Sequence, residues 1–382
     1  TKHGRQISQD VVVPTYDIDA SDPSATRVEL KPDLKATSFS EQNAYYFAKM
    51  SEFAYMPRAK VEGILMGNAT EPGLGFNRFH WFEADKVISS ASIFDAIEDT
   101  EAFVAVNDDM MMVVFRGTKE ATDWATNIDI RTRHIPETWG LHNPNAEVHE
   151  GFDDGVNTVW SDVGMHETII ALYNEKGKRR KLYLAGHSLG GALATDAAAR
   201  LAFIDDMDIT AIYTFGSPRV FDTDLAKAFD AKMNYGATLK SKYFRCRNNN
   251  DIVPRIVPLP YHHVGTEIYL DRFGTLSTTS FWDRFMGRMS AFLRLSFIDG
   301  INDHSSSEYI RLFKQCVIDS RLSLLKKAKS VMKDAAKKVV PSTFTGVKAQ
   351  AMEIEEAKAA ALEASKATPL PVGDVVDHPD ER

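Results

Sequence analysis

The chain is predicted to fold as an α/β protein, a mostly parallel sheet covered by helices on both faces, and three observations carry that prediction. β-like runs alternate with helical stretches between residues 101 and 270, the order that parallel strands joined by crossover helices require. The apolar run Leu182-Tyr183-Leu184-Ala185 passes through Gly186-His187-Ser188-Leu189-Gly190 into an alanine-rich stretch, 191–199, which reads as strand, sharp turn and helix. A second apolar run, 209–215, is closed by Gly216-Ser217-Pro218.

The elements follow in chain order. Residues 1–38 are polar, carry Pro14, Pro23 and Pro32 and show little periodicity, so they read as an extended arm. After Ser40, the residues Ala44, Phe47, Ala48, Met50, Phe53 and Ala54 fall at three- and four-residue spacing, which predicts a helix ending before Pro57. Runs 101–106 and 110–116, joined by Asn107-Asp108-Asp109, read as a hairpin. Residues 150–173 read as helix, with Lys178-Arg179-Arg180 suited to its negative pole. Strand-like stretches at 242–247 and 264–270 come next, then two helical stretches and a tail. In the tail, 349–366 is rich in Ala, Glu and Lys and favours an exposed helix, and the last residues read as mobile. The expected division is an N-terminal arm 1–38, an α/β domain 39–317 and a helical, partly flexible C-terminal extension 318–382.

Composition narrows the function classes. The 382 residues are 44% hydrophobic and 26% charged, ordinary for a globular protein, and the net charge of −8 argues against a general nucleic-acid binder. The two cysteines, Cys246 and Cys316, read as free thiols rather than a disulfide framework. No apolar run approaches the ~18 to 20 residues of a membrane span. Residues 1–22 lack the apolar core of a signal peptide, and the compartment stays open, secreted or cytoplasmic.

The turn around Ser188 matches G-x-S-x-G between a strand and a helix, an arrangement that presents a serine hydroxyl at the edge of a sheet beside a helix N-terminus. A serine is a poor nucleophile at neutral pH, so it needs a histidine to take its proton and an acid to orient that histidine. Downstream lie His262, His263, His304 and His378. His378 sits in the terminal tail, and His262 and His263 directly precede a strand, where a structural role is expected. His304, in a polar loop between helical stretches, is the favoured base. Among the acids, Asp205, Asp206, Asp208, Asp222 and Asp224 cluster in connections and read as helix caps. Asp251 follows the strand-like 242–247 and is the favoured orienting acid. An oxyanion hole needs two backbone donors: one is expected from Leu189, the other from the loop Phe115-Arg116-Gly117-Thr118.

These segments resemble the class 3 lipases, the family of the fungal triacylglycerol lipases. The match rests on Val113-Val114-Phe115-Arg116-Gly117-Thr118 with Asp123-Trp124, and on Val148-His149-Glu150-Gly151-Phe152. It continues through the elbow, Tyr213-Thr214-Phe215-Gly216-Ser217-Pro218-Arg219-Val220 and Asp251-Ile252-Val253-Pro254-Arg255, in the family's order. The resemblance implies an α/β-hydrolase fold, Ser188, Asp251 and His304 as catalytic triad, Thr118 and Leu189 as oxyanion donors, and a lid. It places His149 and His187 in motifs that shape the site. The chain departs from the compact fungal members in its two cysteines, in the long stretch between Asp251 and His304, and in its C-terminal extension.

Three segments read as candidates for lipid contact. Between 119 and 139, Trp124, Ile128, Ile130, Ile135 and Trp139 sit among charges, as expected of a flap over an apolar pocket. Phe281, Trp282, Phe285, Met289 and Phe292 recur at helical spacing with arginines interleaved, which fits an interfacial helix or an ordinary core-facing one. Residues 318–339 carry seven basic against two acidic residues opposite an apolar stripe, a face for an acidic membrane or a helix packed on its own domain.

The resulting expectation is a carboxylic ester hydrolase cleaving acylglycerols through an acyl-serine intermediate, with contact to a membrane or lipid droplet and no metal or organic cofactor. The rival readings are a phospholipase A1 or feruloyl-type esterase on the same scaffold, and, more remotely, a non-catalytic lipase-like interaction scaffold.

Overall fold

The computed structural model describes residues 28–68, 72–84, 100–118, 130–141, 143, 145–175, 180–249, 251–255, 257–258, 260–271, 275–277 and 304–337. The helices are α1 (Glu41–Phe53), α2 (Arg58–Met66), α3 (Glu150–Trp160), α4 (Met165–Tyr173), α5 (Leu189–Phe203), α6 (Thr223–Ala231), α7 (Leu239–Lys242) and α8 (Ser306–Lys337). The strands are β1 (Arg78–Glu83), β2 (Glu101–Val106), β3 (Met110–Phe115), β4 (Thr132–His134), β5 (Glu147–His149), β6 (Lys181–His187), β7 (Ile209–Phe215), β8 (Met233–Asn234), β9 (Ala237–Thr238), β10 (Tyr243–Asn248), β11 (Thr266–Leu270) and β12 (Leu276–Ser277).

Among the described residues, eight strands form one sheet in the order β1-β2-β3-β6-β7-β10-β11-β12, while β4-β5 and β8-β9 form small ribbons. The edges are antiparallel, and the centre from β3 to β11 is parallel. This is the mostly parallel α/β sheet that the sequence predicts. Every residue of β3 is buried, as a central strand covered on both faces requires. One face packs against α3 to α6 and the other against α1, α2 and the first turns of α8. The register aligns Phe115 with Gly186, His187 with Phe215, and Phe215 with Cys246, so the carboxyl ends of four strands open at one level.

Local chemistry explains the helix ends. Ser40 caps α1 by accepting from the Asn43 backbone N–H, and Asp222 caps α6 by accepting from those of Asp224 and Leu225. The stretch 150–173 is two helices, because Gly164 takes φ 75° between them. Of the arm, residues 28–38 lie against the sheet: Val28, Leu30 and Leu34 pack on the core, and Asn43 exchanges hydrogen bonds with the Asp33 backbone at 2.7 and 3.0 Å. Residues 1–27, the helix expected over 281–297 and the tail beyond 337 lie outside the described residues.

α8 runs without a break through 317 and 318, so the position where an extension was expected to start falls inside a helix. Its first turns send Tyr309, Leu312, Phe313, Cys316 and Val317 into the core, and Arg321 reaches Gln42 of α1 at 3.1 Å. Cys246 and Cys316 are buried thiols that form no disulfide. Of the expected flap, Trp124 and Ile128 lie outside the described residues, and Ile130 is exposed. Trp139 belongs instead to the core. It stacks on Phe203 with centroids 6.5 Å apart, and Arg200 lies over its ring, both toward the end of α5 remote from Ser188.

Candidate active site

Ser188 stands between β6 and α5 with φ 59° and ψ −130°, a backbone conformation that L side chains rarely adopt. Such strain costs about 1–3 kcal/mol and persists only where surroundings over-determine it. Here the Ser188 N–H donates to Phe215 O at 2.9 Å and its carbonyl accepts from the Gly191 N–H at 2.9 Å. Leu189 is the first residue of α5, so its N–H lies in the turn that has no intrahelical acceptor. The loop leaving β3 touches this turn: a Cβ on Gly117 would lie 3.2 Å from Ser188 Cβ and 2.5 Å from His187 O. Thr118 is the next residue, which puts it beside the elbow.

His304 and Asp251 meet at the same edge of the sheet, although 53 residues separate them. His304 Nδ1 lies 3.0 Å from both Asp251 carboxylate oxygens. Gly216 makes room for them: it takes φ 62°, and a Cβ there would lie 2.6 Å from Asp251 Oδ2 and 2.8 Å from His304 Nδ1. Gly216→Ala is therefore expected to displace the pair. Misplacement by about 1 Å costs on the order of 10²-fold, so kcat on a soluble ester should fall by about that factor. A kcat within twofold of wild type would contradict this packing argument.

Asp251 is fully buried, and burial by itself pushes its carboxyl up. The His304 charge and hydrogen bonds from His304, Tyr309 and the Val253 N–H outweigh burial and hold it below the ordinary carboxylate value. The Tyr309 hydroxyl donates to Asp251 Oδ2 at 2.6 Å and accepts from the Asn248 N–H at 2.9 Å. Burial, and then the Asp251 charge, push the phenol well above its usual range, so Tyr309 stays a neutral donor.

On the far side of His304 lies His187, ring centroids 4.6 Å apart. Burial first, and then the His304 charge, push His187 down to about 3. A neutral imidazole has one N–H, and the His304 carbonyl, 2.5 Å from Nε2, can only accept. The proton therefore sits on Nε2, and Nδ1 accepts from the Tyr55 hydroxyl at 3.0 Å. This bond anchors the backbone of His304. The unfolded chain binds a proton to this histidine near its ordinary 6.5, the folded chain only near 3, so its contribution to stability is complete above 6.5 and is lost as pH falls toward 3. The expected slope is about 1.4 kcal/mol per pH unit. Chemical denaturation of His187→Gln against wild type between pH 6 and 4 should show a shallower loss in the variant.

Among the described residues, Ser188 Oγ and His304 Nε2 are buried and make no hydrogen bond. A hydroxyl and an imidazole nitrogen are thus left uncommitted at the mouth of the sheet, behind an Asp-oriented ring. The structure brings Ser188, Leu189, His304 and Asp251 to one edge, with Thr118 beside the turn. The other histidines make different contacts: His262 N donates to Phe221 O, His263 Nε2 donates to Pro254 O, and His149 stacks on Phe152 at 4.1 Å. His378 lies outside the described residues.

At the centre of the chain, residues 112–261 match the model of the lipase (class 3) family. This segment is similar to the class 3 lipases. The matched segment holds Thr118, Ser188, Leu189 and Asp251, whereas His304 and Tyr309 lie beyond it. The chain is 31% identical over 186 residues to phospholipase A1-II 3 of Oryza sativa subsp. japonica, covering 42% of each chain. It is 28% identical over 194 residues to secreted mono- and diacylglycerol lipase 1 of Fusarium solani, covering 50% of this chain and 53% of that one. The chain spans about half the length of the curated relatives it matches. Among solved structures it is similar to the triacylglyceride lipase of Rhizomucor miehei, with TM-score 0.45, 24% identity, and coverage of 61% of this chain and 82% of that chain.

Tyr309 and Tyr55 were not read as site residues. Tyr309 follows His304 by one turn of backbone and α8 begins between them, a hint that a helical side chain returns to the same place. Nothing local marks Tyr55, whose partner is 132 residues away.

Proposed function

We propose that the protein is a serine ester hydrolase acting on acylglycerols, with Ser188 as nucleophile, His304 as base and then acid, and Asp251 as the group that holds the imidazole. His304 Nε2 takes the Ser188 proton as Oγ attacks the ester carbonyl. The tetrahedral oxyanion is received by the Leu189 and Thr118 N–H groups. Collapse expels the alcohol, protonated by His304, and leaves an acyl-Ser188 ester. Water, deprotonated by the same nitrogen, attacks the acyl carbon, and a second collapse frees the carboxylic acid and restores Ser188. The observation that carries this reading is the His304–Asp251 contact beside an unpartnered, strained serine.

Ser188 is 0% exposed and His304 4%, so an ester reaches them only after covering groups move. That supports substrates presented at a lipid interface, where apolar cover groups find another apolar surface. The relative named as a phospholipase A1 favours a second reading, cleavage of phospholipid acyl esters by the same residues. Rates on triolein, a short nitrophenyl ester, phosphatidylcholine and methyl ferulate, each below and above the concentration at which an interface forms, separate the two. Triolein turnover rising at the interface supports the acylglycerol reading, and preference for phosphatidylcholine replaces it with the second.

A further inference from the structure

β10 carries a second polar cluster on the face away from Cys246. Alternation along the strand turns Phe244 and Cys246 toward α1 and α8, and turns Arg245 and Arg247 to the other side. These arginines are 7% and 8% exposed. Arg245 Nη1 lies 2.8 Å from Glu267 Oε2 on β11, and Arg247 Nη1 lies 3.9 Å from the same oxygen. The Arg247 guanidinium stacks over the Tyr269 ring at 5.7 Å. One carboxylate thus serves two buried cations.

The donors are left over as well. Arg245 Nη1 is taken up by its ion pair with Glu267, but among the described residues Nε of Arg245 and Nε of Arg247 are buried without a hydrogen-bond partner. Buried guanidinium donors without acceptors cost free energy, and in native proteins such groups point to an ion or water that completes the site. The rim is not sealed: Glu267, His263 and Arg219 are each partly exposed. His263 is held neutral by burial and then by the charges of Arg245, Arg219 and Arg247, so the histidine adds no charge of its own. β10 then leads through Asn248 into Asp251, which places the cluster on the strand that supplies the candidate acid.

We propose that Arg245 and Arg247 form an anion site that takes a phosphate group. Two unpaired Nε–H donors on neighbouring side chains of one strand face, with two cations set against one carboxylate, call for an anion with several oxygens set tetrahedrally, which a phosphate offers and a planar carboxylate does not. Glu267 fixes the Arg245 side chain, and Tyr269 supports the Arg247 plane. The phosphate can come from free phosphate or from a phospholipid headgroup. Binding is independent of the hydrolytic reading, and only the headgroup source rests on it.

The test is melting of the full chain with inorganic phosphate against chloride at matched ionic strength, for wild type, Arg247→Gln and Arg247→Lys. At roughly a hundredfold excess over Kd, phosphate should raise the wild-type Tm by about 5 °C or more. Arg247→Gln should lose that rise, and Arg247→Lys, which keeps the charge without the fork, should retain only part of it. Equal shifts in all three proteins, as salt exclusion from the surface would give, overturn the site, and so does the absence of a phosphate-specific shift in wild type. If Arg247→Gln does not fold, the wild-type titration and Arg247→Lys decide. The source is read from the ratio of phosphatidylcholine to diacylglycerol hydrolysis: a tenfold fall in Arg247→Lys assigns the headgroup, and an unchanged ratio assigns free phosphate. If neither lipid is hydrolysed, the proposed activity fails while the melting result still stands.

Discussion

Ser188→Ala is expected to lower ester turnover by about 10⁴-fold or more while leaving Tm within about 2 °C of wild type. The size of the loss follows from removing the atom that forms the acyl bond, since the remaining oxyanion donors and binding contacts retain only a residual acceleration over water. The absence of a stability loss follows from this structure. Ser188 Oγ accepts and donates no hydrogen bond among the described residues, so truncation to Cβ removes no partner. The backbone strain at φ 59° stays, because alanine suffers it as serine does. The pairing of a large kinetic effect with a small thermodynamic one separates a nucleophile from a structural turn serine. A fluorophosphonate gives the same answer without a substrate: wild type should gain one covalent adduct and Ser188→Ala none. Hydrolysis by the variant within tenfold of wild type would end the assignment.

Much of the scaffold was readable because it is written in local periodicity. Continuous apolar runs marked β6 and β7, and three- and four-residue spacing after Ser40 marked α1 almost to its ends. The hairpin of β2 and β3 was legible from two apolar runs around Asn107-Asp108-Asp109. What was less legible depended on contacts far apart in the chain. The break at Gly164 interrupts an apolar pattern that continues on both sides, so periodicity alone reads through it. Trp139 sits among charges in sequence, which suggested a flap, and only the tertiary fold shows Phe203 and Arg200 receiving it. The expected start of an extension at 318 falls inside α8, because the helical apolar spacing of its first turns continues past Val317 and periodicity does not mark where burial ends. In the site, residue types and chain order pointed to Ser188, Asp251 and His304. The groups that hold them, Tyr309 and Tyr55, are ordinary tyrosines until folding places their hydroxyls.

Asp251→Asn is the most discriminating change, because it keeps shape and alters only which atoms can accept. Three donors converge on the carboxylate: His304 Nδ1–H at 3.0 Å, the Tyr309 hydroxyl at 2.6 Å and the Val253 N–H at 3.0 Å. An asparagine accepts through one oxygen only. The Val253 N–H cannot turn, so that oxygen stays with it, and the new NH2 faces Tyr309 and His304. Tyr309 can rotate its hydroxyl to accept. His304 Nδ1, 3.0 Å from both positions, now faces an NH2 as well as the shared oxygen, and a ring that accepts from the NH2 gives up its Nδ1 proton and carries it on Nε2, the nitrogen that should receive the Ser188 proton. The base is thereby loaded in the wrong tautomer. The expected loss is about 10⁴-fold in kcat, with KM changed little because no substrate contact is removed. The native carboxyl, held below its ordinary value, also adds stability that is present above about pH 4 and lost as pH falls through its folded value. Asp251→Asn should lack that acid-dependent part. Steady-state kinetics on a soluble nitrophenyl ester, with acid denaturation followed by circular dichroism, measure both. A kcat reduced less than tenfold would mean that His304 is oriented by its backbone bond to His187, and that the carboxylate serves the fold rather than the proton transfer.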